Sequence, residues 1–400
     1  MVHILRLSII FPLILFSLTA CLQESLQKGD EQMLQSGARQ TSTYLPLLEG
    51  KKVGLVANHS SFIGSTHLAD TLLTLGVDIK RVFAPEHGFR GMADAGEHIK
   101  DGIDTISGLQ VVSLYGSNRK PNAEDLRDLN VIIFDIQDVG VRFYTFISTL
   151  SYVMEAAAEQ DIEVIVFDRP NPNGFYIDGP VMEDKYSSFV GLHPVPVVYG
   201  MTIGEYGRMV NGEKWLANGI NCNLTIIPLK NYDRSELYKL PVKPSPNLPS
   251  WQSVYLYPSL CLFEGTIVSV GRGTDFPFTV YGHPRFHLGS FAFIPEPGPG
   301  AKHPKLAGEQ CYGQNLNGYA NHYKEVDSHF NLLWILSACK YIGADSGFFN
   351  SYFEKLVGNG KLREQISSGM DQKDIKASWQ DDLNTFKAIR EKYLLYEDFD

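Results

Sequence analysis

Two Glu-His pairs stand close together in the segment FAPEHGFRGMADAGEH, where Glu86 and His87 follow an apolar run and Glu97 and His98 close the segment. Carboxyl and imidazole groups are the side chains that proteins use most for general acid–base chemistry. Cleavage of a glycosidic bond, for example, requires a carboxylic acid that protonates the leaving oxygen and a second carboxylate. Glu86 is therefore the candidate acid, His87 its candidate helper, and Asp94 or Glu97 the candidate second carboxylate.

The segment has two other interpretations. Acidic residues that are adjacent in sequence are often simply solvated, so the segment is also compatible with an exposed loop without chemistry. The two Glu-His pairs are eleven residues apart, which matches no standard spacing of metal ligands, and no CxxC or HExxH occurs. No metal and no cofactor are predicted.

More polar candidates follow other apolar, strand-like runs: Asn58, Asp135, Asp138, Arg142, Tyr144 and Arg169. Ligands of open α/β sheets bind outside the carboxyl ends of the strands, so these side chains are candidates for binding. Asp135 is also a third candidate for the second carboxylate, although an Asp after a strand can equally cap the next helix. Arg169 follows Asp168 directly, and the two would also suit a structural ion pair.

The segment EGTIVSVGRGTDFPF places Glu264 and Arg272 among three glycines, which allow a ligand to approach the backbone closely. Arg272 suits either a forked contact to a carboxylate or a structural ion pair. Neither GxxxxGK[ST] nor GxGxxG is present, so a phosphate-binding loop is not favoured.

Strand-like and helix-like segments alternate from about residue 44 to 230. KKVGLVAN, DIKRVFAP, LQVVSLYG, LNVIIFDIQDV and IEVIVFDRPNP predict strands, and THLADTLLTLG and TFISTLSYVMEAAAEQ predict helices. PVPVVYG, TIGEYGRMVN and CNLTIIPL extend the pattern as strand, helix and strand. The alternation predicts an α/β domain with a mostly parallel sheet over residues 44–230, and the change of texture afterwards predicts a smaller α+β domain over residues 231–400.

The amino-acid composition limits the classes of function that the protein can have. The chain has 400 residues, of which 44 % are hydrophobic, so it is long enough for two domains with full cores. Its net charge of -10 is spread along the chain without a basic stripe, which argues against nucleic acid as a partner. The cysteines Cys222, Cys261, Cys311 and Cys339 are widely spaced, which favours free buried thiols over a disulfide framework.

The N-terminus MVHILRLSIIFPLILFSLTAC resembles a bacterial lipoprotein signal. This resemblance implies cleavage before Cys21, lipidation of Cys21 and a membrane anchor, on the periplasmic or cell-surface side. Leu22 after the cysteine favours the outer membrane of a Gram-negative host. Residues 22–43 are polar and without apolar periodicity, and they predict a flexible tether.

The motifs FAPEHGFRG, FDIQDVGVRFYTFIST, DRPNPNG, YGMTIGEY, PSPNLPS and LFEGTIVSVGRGTDFPF together resemble the DUF1343 family, which contains the NamZ exo-β-N-acetylmuramidases of glycoside hydrolase family 171. The resemblance implies a Rossmann-like domain, a smaller C-terminal domain and a cleft between them. It also implies release of N-acetylmuramic acid from the non-reducing end of peptidoglycan fragments such as MurNAc-GlcNAc. The proposed catalytic glutamate of the PEHG motif would be Glu86, beside His87.

The substrate that the resemblance implies carries a lactyl carboxylate, which arginines near the cleft would bind: Arg90, Arg142, Arg169 or Arg272. One departure is visible, because many members of the family have Asn after EGT where this chain has Ile267. The alternative function is that of a lipoprotein that binds muropeptides without cleaving them.

Overall fold

The computed structural model of the chain describes residues 33–86, 88–90, 102–287, 289–325, 329–344 and 347–399. The strands are β1 Lys52–Ala57, β2 Phe62–Ile63, β3 Thr66–His67, β4 Asp78–Ala84, β5 Gly102–Ile103, β6 Gln110–Ser113, β7 Val131–Asp135, β8 Glu163–Phe167, β9 Leu224–Ile227, β10 Val280–His283, β11 Phe291–Phe293 and β12 Cys311–Asn315. The helices are α1 Thr41–Leu48, α2 Leu68–Thr74, α3 Ala123–Leu126, α4 Phe146–Glu159, α5 Ile203–Gly212, α6 Trp251–Leu260, α7 Asn317–Ala320, α8 Leu333–Ile342, α9 Phe353–Val357, α10 Lys361–Ser367, α11 Gln372–Ala377 and α12 Gln380–Arg390.

A seven-stranded sheet in the order β5-β6-β4-β1-β7-β8-β9 forms the centre of the N-terminal domain. All neighbours pair in parallel except β5 and β6, which are antiparallel. The strand order reverses at β1, which pairs with β4 on one side and with β7 on the other. The predicted mostly parallel α/β sheet is confirmed.

Both faces of this sheet are buried, as the apolar strands require. Along β7, Ile132 and Phe134 belong to one hydrophobic cluster, together with α4 and α5, while Val131 and Ile133 belong to another, with α1 and α2. Successive side chains of a strand point to opposite faces, so a strand covered on both faces is apolar throughout.

The predicted strand PVPVVYG is not a strand. Val198 makes only isolated bridges, to Val141 and Asp178. Pro194 and Pro196 lack the N–H groups that a β-ladder needs, which explains the difference.

Residues 33–43, which belong to the tether predicted over residues 22–43, are folded. Gln35 pairs with Lys230 through two backbone hydrogen bonds of 3.0 Å, and Gly37 N–H donates to the carbonyl of Asp168. A Cβ at Gly37 would lie 2.4 Å from the carbonyl oxygen of Ile227, so only glycine allows this approach to β9. We call residues 33–40 the N-terminal arm.

The C-terminal domain contains an antiparallel sheet in the order β10-β12-β11, and helices α6 to α12. One hydrophobic cluster runs from Ile132 and Phe134 of the central sheet to Leu260, Phe353 and Phe386, so the two domains share a core. The cysteines Cys222, Cys261, Cys311 and Cys339 are free and buried. Among the helices that the structure describes, none is long and apolar enough to cross a membrane.

Candidate active site

A cavity of about 350 Å³ opens between the two domains at the carboxyl ends of β4 and β6. Its lining comprises Glu86, Tyr115, Arg119, Phe143, Thr145, Ser188, Phe189, Val190, Tyr257, Cys261, Glu264, Arg272, Tyr352, Lys355 and Leu356. A smaller adjoining cavity of about 70 Å³ shares Glu86, Tyr257 and Arg272 with it. Glu86, at the start of the predicted loop after β4, therefore lines a cleft between the domains.

Glu86 lies two residues beyond the end of β4, in the wall of both cavities. Its Oε2 accepts a hydrogen bond of 3.3 Å from the hydroxyl of Thr145, the residue that precedes α4. Strand β4 and helix α4 thus hold the carboxyl group between them. It remains half-buried, so a substrate in the cavity can reach it.

A second carboxylate, Glu264, lines the same cavity from the C-terminal domain. It lies in a 3-10 helix, Cys261–Gly265, and its Oε2 is 3.4 Å from Nε of Arg272. Burial opposes the charge of Arg272, but Glu264 foremost, with smaller contributions from Tyr257, Cys261 and Glu86, raises the pKa of Arg272 above its usual value. The guanidinium of Arg272 therefore stays charged beside Glu264 and Glu86.

Lys305 fixes the segment that carries this ion pair. Its Nζ donates to the carbonyls of Phe263, Thr266 and Val268 at 3.0, 2.5 and 3.1 Å. Burial lowers the pKa of Lys305, partly offset by the nearby carboxylate of Glu264. A buried ammonium with three backbone partners satisfies the carbonyls of an irregular segment, and it thereby holds Glu264 in place.

Aromatic rings line the cavity beside the carboxylates. Phe143 and Tyr257 meet edge to face with centroids 5.4 Å apart, and Tyr257 meets Phe278 in the same manner at 5.0 Å. Tyr115, which follows β6, is another aromatic residue of the lining. Such rings offer apolar faces of the kind on which a pyranose packs.

Two further cations border the cavity. The guanidinium of Arg119 lies 4.4 Å from the ring centroid of Phe189, and Lys355 lies on α9. Among the residues that the structure describes, no carboxylate pairs with either Arg119 or Lys355. Both cations line the cavity, and within the described chain neither is compensated by a carboxylate.

Several predicted residues lie elsewhere. Asp135 and Arg169 form a buried bidentate ion pair, with distances of 2.6 and 2.7 Å, outside the cavity of Glu86. Asn58 is buried, and its side-chain oxygen accepts from the backbone and hydroxyl of Ser60. Asp138 is buried too, with hydrogen bonds from Gly140 N–H and the Tyr199 hydroxyl. These groups organise the loops after β1, β7 and β8.

Arg142 holds the domains together rather than facing the cavity. Its two terminal nitrogens donate to four carbonyls, those of Pro180, Val195, Leu356 and Val357, at 2.6 to 2.9 Å. Gly358 follows α9 with a φ of +79°, and a Cβ there would lie 2.8 Å from Nη2 of Arg142. Only glycine permits this contact.

The remaining predicted arginine and tyrosine are also engaged. Arg90 makes ion pairs with Asp70 at 3.0 Å and with Asp104 at 2.8 Å, and its guanidinium keeps the pKa of Asp104 well below its usual value. Tyr144 borders the smaller cavity but donates its hydroxyl to the carbonyl of Pro244. Of the four arginines predicted to face the substrate, the structure therefore brings only Arg272 to Glu86.

The predictions for His87, Asp94, Glu97 and Cys21 concern positions outside the described residues. Ile267, the residue that departs from the family pattern, packs against the core and is absent from the lining of the described cavity. In the described part of the chain, no three His, Cys, Asp or Glu side chains come together as a metal site would require.

Comparison with known proteins identifies the family. Residues 53–252 match the family described as "Exo-beta-N-acetylmuramidase NamZ, N-terminal", and residues 255–396 match its C-terminal counterpart. The chain belongs to the NamZ family. The two matched ranges meet after residue 252, whereas the predicted domain boundary follows residue 230.

Relatives agree with this assignment. The chain is 37 % identical over 374 residues to the peptidoglycan β-N-acetylmuramidase NamZ of Bacillus subtilis (strain 168), covering 88 % of this chain and 89 % of the relative. A solved DUF1343 family protein of Bacteroides fragilis NCTC 9343 superposes with a TM-score of 0.84 at 42 % identity, over 92 % of this chain and 99 % of that one. A second from the same organism has a TM-score of 0.77 at 29 % identity, over 92 % and 100 %.

Within this NamZ-family cavity, sequence reasoning missed Thr145, Arg119, Tyr257 and Lys355. Arg119 follows β6, so the rule that ligands bind at the carboxyl ends of strands was the signal available for it. Lys355 lies far along the chain on a short helix of the other domain, and no local pattern connects it with Glu86.

Proposed function

We propose that this protein is an exo-β-N-acetylmuramidase that hydrolyses the bond between a terminal N-acetylmuramic acid and the next sugar of a peptidoglycan fragment. The observation that carries the proposal is the position of Glu86. In a chain of the NamZ family, this carboxyl group lines a cavity between the domains, with a second carboxylate and aromatic rings in the same lining.

Glu86 is the proposed general acid, which protonates the glycosidic oxygen as the bond breaks. Thr145 orients the carboxyl group through its hydroxyl. Glycosidases of the common type use a second carboxylate as nucleophile or base. Glu264 is the proposed second group among the described residues, because Asp135 is occupied by Arg169 in a buried ion pair outside the cavity.

The test compares the wild type with Glu86→Gln on MurNAc-GlcNAc, with free N-acetylmuramic acid measured by mass spectrometry. Loss of a general acid lowers the rate by about 100-fold to 10 000-fold, so the variant should retain little activity while its melting temperature stays near that of the wild type. Glu309→Gln, on an exposed surface, is the matched control. If the wild type binds the disaccharide but releases no sugar, the protein is the non-catalytic muropeptide binder instead.

The lactyl carboxylate of the substrate is proposed to bind at Arg119 and Lys355. Among the described residues, the lining of the larger cavity carries three cations, Arg119, Arg272 and Lys355, against the carboxylate of Glu264 and the proposed acid Glu86. Positive charge is in excess whether or not Glu86 carries its proton, and the carboxylate of the sugar compensates one unit of it. N-acetylglucosamine lacks that carboxylate and would leave the excess charge unpaired.

We also propose that the mature protein is a lipoprotein anchored through Cys21, on the periplasmic or cell-surface side of a membrane. The lipobox-like Leu18-Thr19-Ala20-Cys21 after a short apolar stretch supports this proposal. A single lipid-bearing cysteine would keep the hydrolase at the membrane, close to the wall fragments on which it acts. Fractionation of cells that express wild type or Cys21→Ala tests the anchor: if both proteins sediment equally with the membranes, Cys21 is not the anchor.

A further inference from the structure

A second cavity, of about 230 Å³, lies at the point where the strand order of the central sheet reverses. Ser60 follows β1, Gln137 follows β7 and Arg169 follows β8, and all three line it. It has no lining residue in common with the cavities that contain Glu86. The carboxyl ends of strands at such a reversal are the usual ligand position in open α/β sheets. We call it the switch-point cavity.

Arg169 is the buried cation of the switch-point cavity. Its Nε and Nη2 donate to the carboxylate of Asp135, whereas its third guanidinium nitrogen, Nη1, has no partner among the described residues. Gln137 donates through Nε2 to the carbonyls of Asp138 and Pro170, and within the described chain its Oε1 accepts no hydrogen bond. A buried donor and a buried acceptor thus remain available to a ligand.

Arg39 of the N-terminal arm adds a second cation. Arg39 forms no ion pair with any carboxylate of the described residues, and together with Ser36 it lines the mouth. Burial raises the pKa of Tyr238, while Arg169 and then Arg39 act to lower it, so both guanidinium groups lie close to this hydroxyl. The hydrogen-bond donors of three side chains therefore face the same cavity: Arg39, Arg169 and Tyr238.

The charge of the lining favours an anion. No carboxylate occurs among the described lining residues, and Asp135 behind Arg169 offsets only one of the two positive charges. The other walls are apolar: Leu34, Phe62, Pro170, Pro241 and Val242. The volume is below the ~300 Å³ from which pockets for drug-sized ligands begin, so the occupant must be small.

We propose that the switch-point cavity is a second binding site, which takes a small organic anion with a carboxylate or phosphate group. Arg39 and Nη1 of Arg169 bind the anionic group by charge-assisted hydrogen bonds. Oε1 of Gln137 accepts from an N–H or O–H of the ligand, and the apolar walls contact its carbon skeleton.

Calorimetric titration of the full-length protein with inorganic phosphate, and separately with the dipeptide alanyl-alanine, tests this site. Saturable binding of at least one probe is expected, with a component that depends on Arg39. A sugar or nucleotide phosphate is the indicated ligand class if phosphate binds, and a peptide carboxylate if the dipeptide does. Loss of one charge-assisted contact should make Arg39→Gln bind about tenfold more weakly.

Arg119→Gln is the matched control, because it removes the same charge from the cavity of Glu86 and should leave this binding unchanged. Arg39 is exposed and without a carboxylate partner among the described residues, so its variant should fold with an unchanged melting temperature. The proposal is overturned if neither probe binds saturably, or if binding is lost in Arg119→Gln and kept in Arg39→Gln.

Discussion

At the scale of single residues, the cavity of Glu86 contains two kinds of charged side chain. Some form an ion pair with each other, and others have no carboxylate partner among the described residues. Arg272 is paired with Glu264, whose Oε2 lies 3.4 Å from Nε of Arg272. Arg119 lies on the ring of Phe189 and has no carboxylate partner in the described chain. A substrate carboxylate binds most favourably to a cation that does not first have to break an ion pair with another carboxylate.

Arg119→Gln should therefore reduce the selectivity for the lactyl carboxylate and not the rate of bond cleavage itself. We expect kcat/KM for MurNAc-GlcNAc to fall by about tenfold to a hundredfold, the value of one hydrogen bond to a charged group. For an analogue in which the lactyl carboxylate is an amide, kcat/KM should change little, since no charge is lost there. Steady-state kinetics on both substrates measure the difference.

Arg127→Gln serves as the control, because Arg127 is exposed and pairs only with Glu124 among the described residues. Lys355→Gln, assayed in parallel, separates the contributions of the two cations. An equal loss on the acid and amide substrates would mean that Arg119 supports the wall through Phe189 and does not recognise the carboxylate.

At the scale of elements, the sequence predicted the central sheet well because each strand carries its own signal. A run such as VIIFD is apolar on both faces, which is what a parallel strand buried on both sides requires, and β7 forms there. The position of Glu86 after β4 was predicted in the same way, from the apolar run that precedes it. The hydrophobic period and the residue composition of a strand are local properties, so both can be recognised in a single sequence.

The contacts between distant segments were not predictable in this way. The N-terminal arm looks like a polar tether, yet it is held on β9 by the close approach of Gly37 to Ile227. Arg142 and Arg119 are both arginines after strands, but one is surrounded by four carbonyls and the other borders the cavity. Formal charge does not distinguish them, because the partners come from elsewhere in the chain.

One interdomain segment connects the two cavities. Pro241 and Val242 line the switch-point cavity, and a few residues later Ser245, Asn247 and Leu248 line the smaller cavity beside Glu86. The hydroxyl of Tyr144 holds this segment through the carbonyl of Pro244. Its sequence is rich in proline, which restricts the backbone, so the walls of both cavities have a stiff part in common.

At the scale of the whole molecule, the two domains are joined by a shared core and by hydrogen bonds across their boundary. The shared hydrophobic cluster crosses the boundary, and Arg142 satisfies carbonyls of both domains at once. The C-terminal tail returns to the sheet, where the hydroxyl of Tyr396 donates to Asp168 at 2.5 Å. Burial raises the pKa of Asp168 to about 6, although these hydrogen bonds oppose the rise. Titration of such a buried group therefore changes the stability of the whole fold.

Asp138 allows this effect to be measured. Its Oδ2 accepts two hydrogen bonds, but its Oδ1 has no partner in the described structure, and burial raises its pKa from 3.8 to about 6. Between pH 3.8 and about 6, the folded state binds more protons than the unfolded state. The contribution of Asp138 to the free energy of unfolding therefore falls as the pH rises through this range, and it stays constant above pH 6 or so. At about 1.4 kcal/mol per pKa unit, the fall amounts to about 3 kcal/mol.

Asp138→Asn keeps an acceptor for Gly140 and Tyr199 and removes the titration. We expect the unfolding free energy of the wild type, minus that of this variant, to decrease between pH 4 and pH 6.5, measured by urea denaturation at about 0.5-unit steps. Carboxylates such as Asp104, whose pKa is lowered by Arg90 and Ser107, act in the opposite direction but cancel in the difference. The exposed variant Asp161→Asn is the control for the loss of one carboxylate. A flat difference for Asp138→Asn would mean that the buried carboxyl group ionises without cost, and that water or a nearby donor reaches its free oxygen.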